Sequence, residues 1–109
     1  MNLNINVVEQ ENTAVVHLAG EIDAYTAPEL KETLLLITKK RIPLIEVDME
    51  QVSYLDSTGL GVIISALKAT KEYDGEIKLT NLQSKVMRLF EITSLDSVIT
   101  IESKVRGGN

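Results

Sequence analysis

The sequence predicts an α/β fold with the element order β-β-α-β-α-β-α-β, in which helices cover a mixed β-sheet. Segments with the alternating apolar pattern of strands are interleaved with segments whose apolar residues recur at helical spacing. The 109 residues suffice for one domain with its own core, and the absence of cysteine excludes disulfides and thiolate metal sites. We expect a single domain over residues 1–109, with a frayed tail from about 103 to 109.

Two strands are predicted at the start of the chain. In "LNINVV", Leu3, Ile5 and Val7 alternate with asparagines, which is typical of a half-buried strand. The second strand, "AVVHLAG", is expected to end at Gly20. The turn-like "ENT" between them predicts an antiparallel hairpin.

The segment "TAPELKETLLLITKK" predicts the first helix. Thr26 is the expected N-cap, and Glu29, three residues later, would complete a capping box. Pro28 lies in the first turn, where its missing N–H is tolerated.

Three strands and two helices are predicted in the remainder. The strands are "IPLIEVDM", "EIKLTN" and a short one in "SVITIE". The helices are "GLGVIISALKATKEY" and "SKVMRLFEI". The second helix is expected to bury a stripe formed by Leu60, Ile63, Ile64 and Leu67. Strand-helix-strand units of this kind join parallel strands by right-handed crossovers.

The stretch "SYLDSTGLG", Ser53 to Gly61, lies between a predicted strand and the second helix. Functional groups of open α/β sheets collect at such strand ends. Asp56, Ser57 or Thr58 could also simply cap the helix. The stretch is therefore either a polar cap or a functional site.

Catalytic motifs do not fit this stretch. A nucleophile elbow needs glycine two positions before the serine, where Leu55 stands, and a P-loop needs lysine after its second glycine, where Val62 stands. The single histidine, His17, belongs to a distant strand. We expect no enzyme activity and no cofactor or metal site. The nearby pair Glu21 and Asp23 could bind a metal, but two carboxylates in a turn are usually just solvated.

The second helix has an unusual outer face. With Leu60 placed toward the core, the opposite face carries small or weakly apolar residues where lysine and glutamate are normal. These residues are Thr58, Gly61, Val62, Ser65 and Ala69. Such a patch indicates a docking face for a protein, and a hydroxyl on its rim is well placed for regulation by phosphorylation.

The charge balance narrows the classes of partner and compartment. Eleven basic and sixteen acidic residues leave a formal net charge of −5, which argues against a nucleic-acid binder. No apolar run reaches the length of about 20 residues that spans a bilayer, and the N-terminus lacks the pattern of a signal peptide. We expect a cytoplasmic protein without membrane or nucleic-acid contacts.

Four stretches together resemble a known family. They are "AGEIDAYTAPEL", "VSYLDSTGLGV", "IKLTNL" and "VMRLFEIT". They are similar to the anti-sigma factor antagonists of the STAS domain family, in particular those of the general-stress sigma-B pathway. The resemblance covers nearly the whole chain and implies a single STAS domain.

The resemblance implies a partner switch. An unphosphorylated antagonist binds an anti-sigma factor that is also a serine kinase, and so frees the sigma factor for stress-response transcription. The kinase phosphorylates the serine after the aspartate, which is Ser57 here, and this ends binding. A PP2C-type phosphatase restores the antagonist.

Site roles follow from the motif and the outer helix face together. Ser57 would accept phosphate, Asp56 would hold the loop, and Gly59 and Gly61 would permit close approach. The interface would be lined by Thr58, Val62, Ser65 and Ala69, with Glu21, Asp23 and Tyr25 meeting the partner from the neighbouring loop. The alternative is an autonomous nucleotide- or small-molecule-binding module. The lack of lysine or arginine between Arg41 and Lys68 argues against it.

Overall fold

The structure, a computed structural model, describes residues 2–103. Its five strands are β1 (Leu3–Glu9), β2 (Thr13–Ile22), β3 (Leu44–Leu55), β4 (Glu76–Thr80) and β5 (Thr100–Glu102). Its helices are α1 (Ala27–Lys39), α2 (Ser57–Lys71), α3 (Ser84–Ile92) and a 3₁₀ turn (Leu95–Ser97). Apart from Ser103, the predicted tail lies outside the described residues.

The sheet has the spatial order β1-β2-β3-β4-β5. β1 and β2 are antiparallel, and every later neighbouring pair is parallel. The alternating pattern of β1 is confirmed, because Ile5 and Val7 stand opposite the buried Leu18 and Val16. The predicted fold class and element order are confirmed.

The core lies on one face of the sheet. Ile45, Val47 and Met49 of β3 point to this face, and the helices close it with residues such as Leu34 of α1 and Phe90 of α3. Burial of this apolar surface supplies the main stabilisation of the fold. Within the described residues, no helix is long and apolar enough to cross a membrane.

The opposite face of the sheet is polar and is here called the open sheet face. It carries His17 hydrogen-bonded to Asp48, and Lys78 between Glu46 and Glu102. The ion pairs of Lys78 measure 3.3 Å to Glu46 and 3.1 Å to Glu102. A sheet with one packed face and one wet face gives its strands period-two alternation, which is why the strands were recognisable in the sequence.

Two strands are longer than predicted. β2 was expected to end at Gly20 and β3 at Met49, but they continue to Ile22 and Leu55. Ile22 and Leu55 are buried and stand opposite each other in the parallel pair. The alternation of buried and exposed residues does not reveal these extensions, because the register between β2 and β3 is irregular near Gly20. The extension carries both strand ends directly to the site.

Candidate functional site

Two loops meet at the carboxyl edge of the sheet. The loop after β2 leads to α1, and the loop after β3 is the single residue Asp56 before α2. The Asp56 N–H donates to the Ile22 carbonyl at 3.3 Å, which ties the two strand ends together. Adjacent parallel strands therefore bring "GEID" and "DSTGLG" side by side, at the edge where α/β sheets place functional groups.

Asp56 is the residue that caps α2. One carboxylate oxygen, Oδ1, accepts the backbone N–H of Thr58 at 3.0 Å and of Gly59 at 3.2 Å. This satisfies two of the free N–H groups at the helix start. Of the three candidates that the sequence offered for the cap, the structure shows Asp56. Ser57 is consequently the first helical residue and is exposed.

Thr26 is the N-cap of α1, as predicted, but the predicted capping box is not formed. Thr26 has a helical backbone, and its side chain makes no cap hydrogen bond. Its hydroxyl turns back into the preceding loop, where it accepts the Asp23 N–H at 2.9 Å and donates to the Glu21 carbonyl at 2.8 Å. Within the loop, the Asp23 carboxylate accepts the N–H groups of Tyr25 and Thr26, which precede the first helical residue, Ala27.

The prediction that Asp23 is a solvated residue facing a partner is wrong. Asp23 is only 7% exposed, and its carboxylate is occupied by the loop's own N–H groups. It shapes the loop from inside because a buried carboxylate must be hydrogen-bonded. Glu21 is half-buried, whereas Tyr25 is 88% exposed beside the start of α1.

A groove of 510 Å³ lies between the N-terminal halves of α1 and α2 and is here called the α1–α2 groove. Its lining residues are Ala27, Pro28, Lys31, Ser57, Thr58, Gly61, Val62 and Ser65. Ser57, Thr58 and Gly61 are exposed, and Ser65 is half-buried. Lys31 is the one charged side chain among the described residues that line it. Four residues predicted for the interface, Thr58, Gly61, Val62 and Ser65, thus line the groove together with Ser57.

The predicted phase of α2 needs correction. Val62, expected on the exposed face, is only 6% exposed, and Ala66 is fully buried. Ile64 and Leu67, assigned to the core stripe, are half-buried. The reason is that α1 packs beside α2, so the buried side of α2 is turned toward α1. Val62 forms part of the groove without being a free surface residue.

Ala69 does not belong to the groove. It lies at the other end of the helix pair, in a depression that it shares with residues such as Lys39, Arg41 and Tyr73. The residues of the predicted outer face of α2 therefore line two separate depressions.

Gly59 and Gly61 meet different surroundings. A Cβ on Gly59 would lie 2.7 Å from Cγ2 of Ile22 and closer still to Cδ1 of Leu55. Gly59 therefore permits close approach of α2 to its own strand ends, which corrects the expectation that it faces a partner. A Cβ on Gly61 would meet no atom within 4 Å beyond its chain neighbours and its own helix backbone.

The Ser57 hydroxyl lies in the groove and is exposed. Among residues 2–103, no hydrogen bond links the Ser57 side chain to another group. His17 lies on the open sheet face, where its Nδ1 is 3.0 Å from Asp48. Across the same residues, no three histidine, aspartate or glutamate side chains are arranged as metal ligands.

The side of the groove that α1 forms was not predicted from the sequence. Lys31 stands four residues after Ala27 and three after Pro28, which are the spacings of neighbours on a helix surface. That spacing was visible in the sequence, but nothing in it indicated that this face of α1 would stand opposite Ser57.

Comparisons with known proteins agree on the family. Residues 4–107 match the STAS domain. The chain is 44% identical over 108 residues to the "Anti-sigma-B factor antagonist" of Bacillus subtilis, covering 99% of this chain and 98% of that protein.

Solved structures show the same fold. An anti-sigma factor antagonist from Mycobacterium paratuberculosis superposes with a TM-score of 0.84 at 23% identity, covering 93% of this chain and 86% of that one. The Bacillus cell fate determinant SpoIIAA in its phosphorylated form gives 0.77 at 17% identity, covering 95% and 94%. The chain belongs to the STAS domain family, and its curated relatives place it among the anti-sigma factor antagonists.

Proposed function

We propose that the α1–α2 groove binds an anti-sigma factor that is also a serine kinase. Binding releases the sigma factor, and phosphorylation of Ser57 abolishes binding, so the protein is a positive regulator of stress-response transcription. The name of the Bacillus subtilis relative supports both the anti-sigma partner and the sigma-B pathway.

The observation that carries this proposal is the exposure of Gly61. A glycine inside a helix lowers the stability of the protein by about 0.5–1 kcal/mol relative to an alanine at the same position. No neighbour within the described residues requires it, because a Cβ there would stand in open space. A partner surface that packs closely against α2 would account for the glycine at position 61, because it needs the space that a side chain would fill. This partner would approach α2 through the groove.

Ser57 lies on the same face of α2, four residues before Gly61. A phosphate on Ser57 would therefore enter the space that the partner needs. The base that accepts the proton of the Ser57 hydroxyl would belong to the kinase, because kinases supply the residue that orients and deprotonates the substrate hydroxyl. The role of Asp56 is to hold Ser57 at the helix start through its two N–H contacts.

Further contacts surround this centre. Thr58 and Ser65 flank Gly61 in the groove. The exposed ring of Tyr25 and the carboxylate of Glu21 would meet the partner from the loop after β2, and Ala69 from the far end of α2. The net charge of −5 favours a partner with basic patches.

A PP2C-type phosphatase would return phospho-Ser57 to the hydroxyl form. The protein itself would have no catalytic activity and would act in the cytoplasm without contacting nucleic acid or membrane. The solved structure of a phosphorylated STAS-fold protein supports the idea that this fold accommodates a phosphate.

Phosphate transfer by the purified anti-sigma-B factor of the host, with ATP, tests the proposal. The wild-type protein should gain one phosphate by intact mass and lose binding in titration calorimetry. Ser57→Ala should gain none and remain bound. Ser84→Ala is the matched control, because Ser84 is also an exposed serine at the first position of a helix; it should behave like wild type.

Two results would contradict the proposal. One is phosphate incorporation into Ser57→Ala at the wild-type rate. The other is tight binding of a labelled nucleotide in the α1–α2 groove without any affinity for the anti-sigma factor, which would favour the alternative of an autonomous sensor module.

A further inference from the structure

We propose that Lys31 binds the phosphate carried on Ser57, so that the two walls of the α1–α2 groove are joined within one molecule. The inference rests on the proposed phosphorylation of Ser57. Its structural basis is that Lys31 of α1 and Ser57 of α2 line the same groove from opposite helices.

The start of α2 has few groups left for a phosphate. The N–H groups of Thr58 and Gly59 donate to the Asp56 carboxylate, and the N–H of Leu60 donates to the Asp56 carbonyl. The Asp56 carboxylate also adds a negative charge beside Ser57. A phosphate at this place must therefore find its countercharge outside the first turn of α2.

Lys31 meets that need. It is exposed, and within residues 2–103 no carboxylate forms an ion pair with it. It is also the only cation on the described lining of the groove. A flexible ammonium on a long stem can reach a phosphate with several of its donors without a fixed geometry.

The contact would close part of the groove. Ser57 and Gly61 are neighbours on one face of α2, so an ion pair from Ser57 across to Lys31 obstructs the approach to Gly61. Phosphorylation would then exclude a partner by charge and by occupying the groove with the protein's own side chain.

A phosphorus NMR titration of protein carrying phosphoserine at position 57, introduced during translation, tests this contact without a kinase. A nearby cation lowers the second pKa of phosphoserine, which is ordinarily about 6. Lys31→Met should raise that pKa by about 0.2–0.7, the effect of losing one exposed ion pair. The difference should shrink in 1 M salt.

The control is Lys39→Met, which removes the same charge from an exposed site at the other end of α1. Lys31→Arg should keep the lowered pKa, since it keeps the charge. The proposal is overturned if Lys31→Met shifts the pKa no more than Lys39→Met, or if Lys31→Arg behaves like Lys31→Met. Either result would leave the assignment of Ser57 as phosphate acceptor intact, because the kinase assay tests that separately.

Discussion

Gly59 and Gly61 lie two residues apart in α2, and their surroundings are opposite. Gly59 is pressed against Ile22 and Leu55, where even a methyl group would overlap the side chains. Gly61 faces open space in the α1–α2 groove. Packing against the strand ends accounts for the first glycine, whereas no contact among residues 2–103 accounts for the second.

The same division runs through the first two turns of α2. Leu60, Val62 and Ile63 are buried and hold the helix on the sheet and on α1. Ser57, Thr58 and Gly61 are exposed and make no comparable contribution to packing. The helix α2 thus has a buried side and an exposed side that we propose binds the partner, and substitutions should separate the two properties.

The largest expected effect concerns the binding side. Phosphorylation of Ser57 should lower the affinity for the anti-sigma factor by about 10⁴-fold, which is the change needed to move a partner from nearly all bound to nearly all free. The helix should persist, because Asp56 keeps its cap and the buried side is untouched. Calorimetry gives the affinity and amide exchange gives the protection of residues 57–71.

Loss of exchange protection throughout α2 on phosphorylation would contradict this expectation. It would favour a switch that melts the helix over one that blocks the groove.

The next effect concerns the buried side. Val62→Glu should lower the free energy of unfolding by about 2–3 kcal/mol, because a carboxylate would replace a side chain that is 6% exposed. Ser65→Lys, on the half-buried rim of the groove, should change it by within about 0.5 kcal/mol and should weaken partner binding. Urea denaturation and calorimetry compare the two.

Equal stability of the two variants would show that Val62 is a free surface residue, as the sequence alone suggested. Normal partner binding by folded Ser65→Lys would place the interface elsewhere.

The smallest effect lies on the open sheet face. Partial burial raises the pKa of Asp48, but hydrogen bonds from the Glu50 N–H, Asn81 and His17 outweigh it and hold the pKa below its ordinary value of 3.8. The group therefore stabilises the fold above pH 3.8 and loses that contribution as the pH falls through the lower folded pKa. Wild type should exceed Asp48→Asn in stability at pH 7, with a gap that narrows below pH 3.8.

Denaturation across that pH range checks the narrowing gap, and partner affinity of Asp48→Asn at pH 7 should equal that of wild type. A gap that stays constant, or a loss of binding, would show that the open sheet face has a different role.

Much of the fold could be predicted from local sequence. The alternation in β1 and the helical spacing in α1 depend on each element's own exposure, and the motif at Asp56 depends on its neighbours in the chain. What failed depended on tertiary packing. The phase of α2 is set by α1, the burial of Asp23 by a loop that folds back on it, and the place of Lys31 by the pairing of two helices.

Alanine at Gly61 tests the central claim most directly. Gly61→Ala should raise the free energy of unfolding by about 0.5–1 kcal/mol, since its methyl group meets nothing within 4 Å, and it should weaken binding of the anti-sigma factor. Gly59→Ala, the control, should lower stability by about 1–3 kcal/mol through overpacking. If Gly61→Ala is more stable and binds the partner as well as wild type, the groove is not the docking site and the account is wrong.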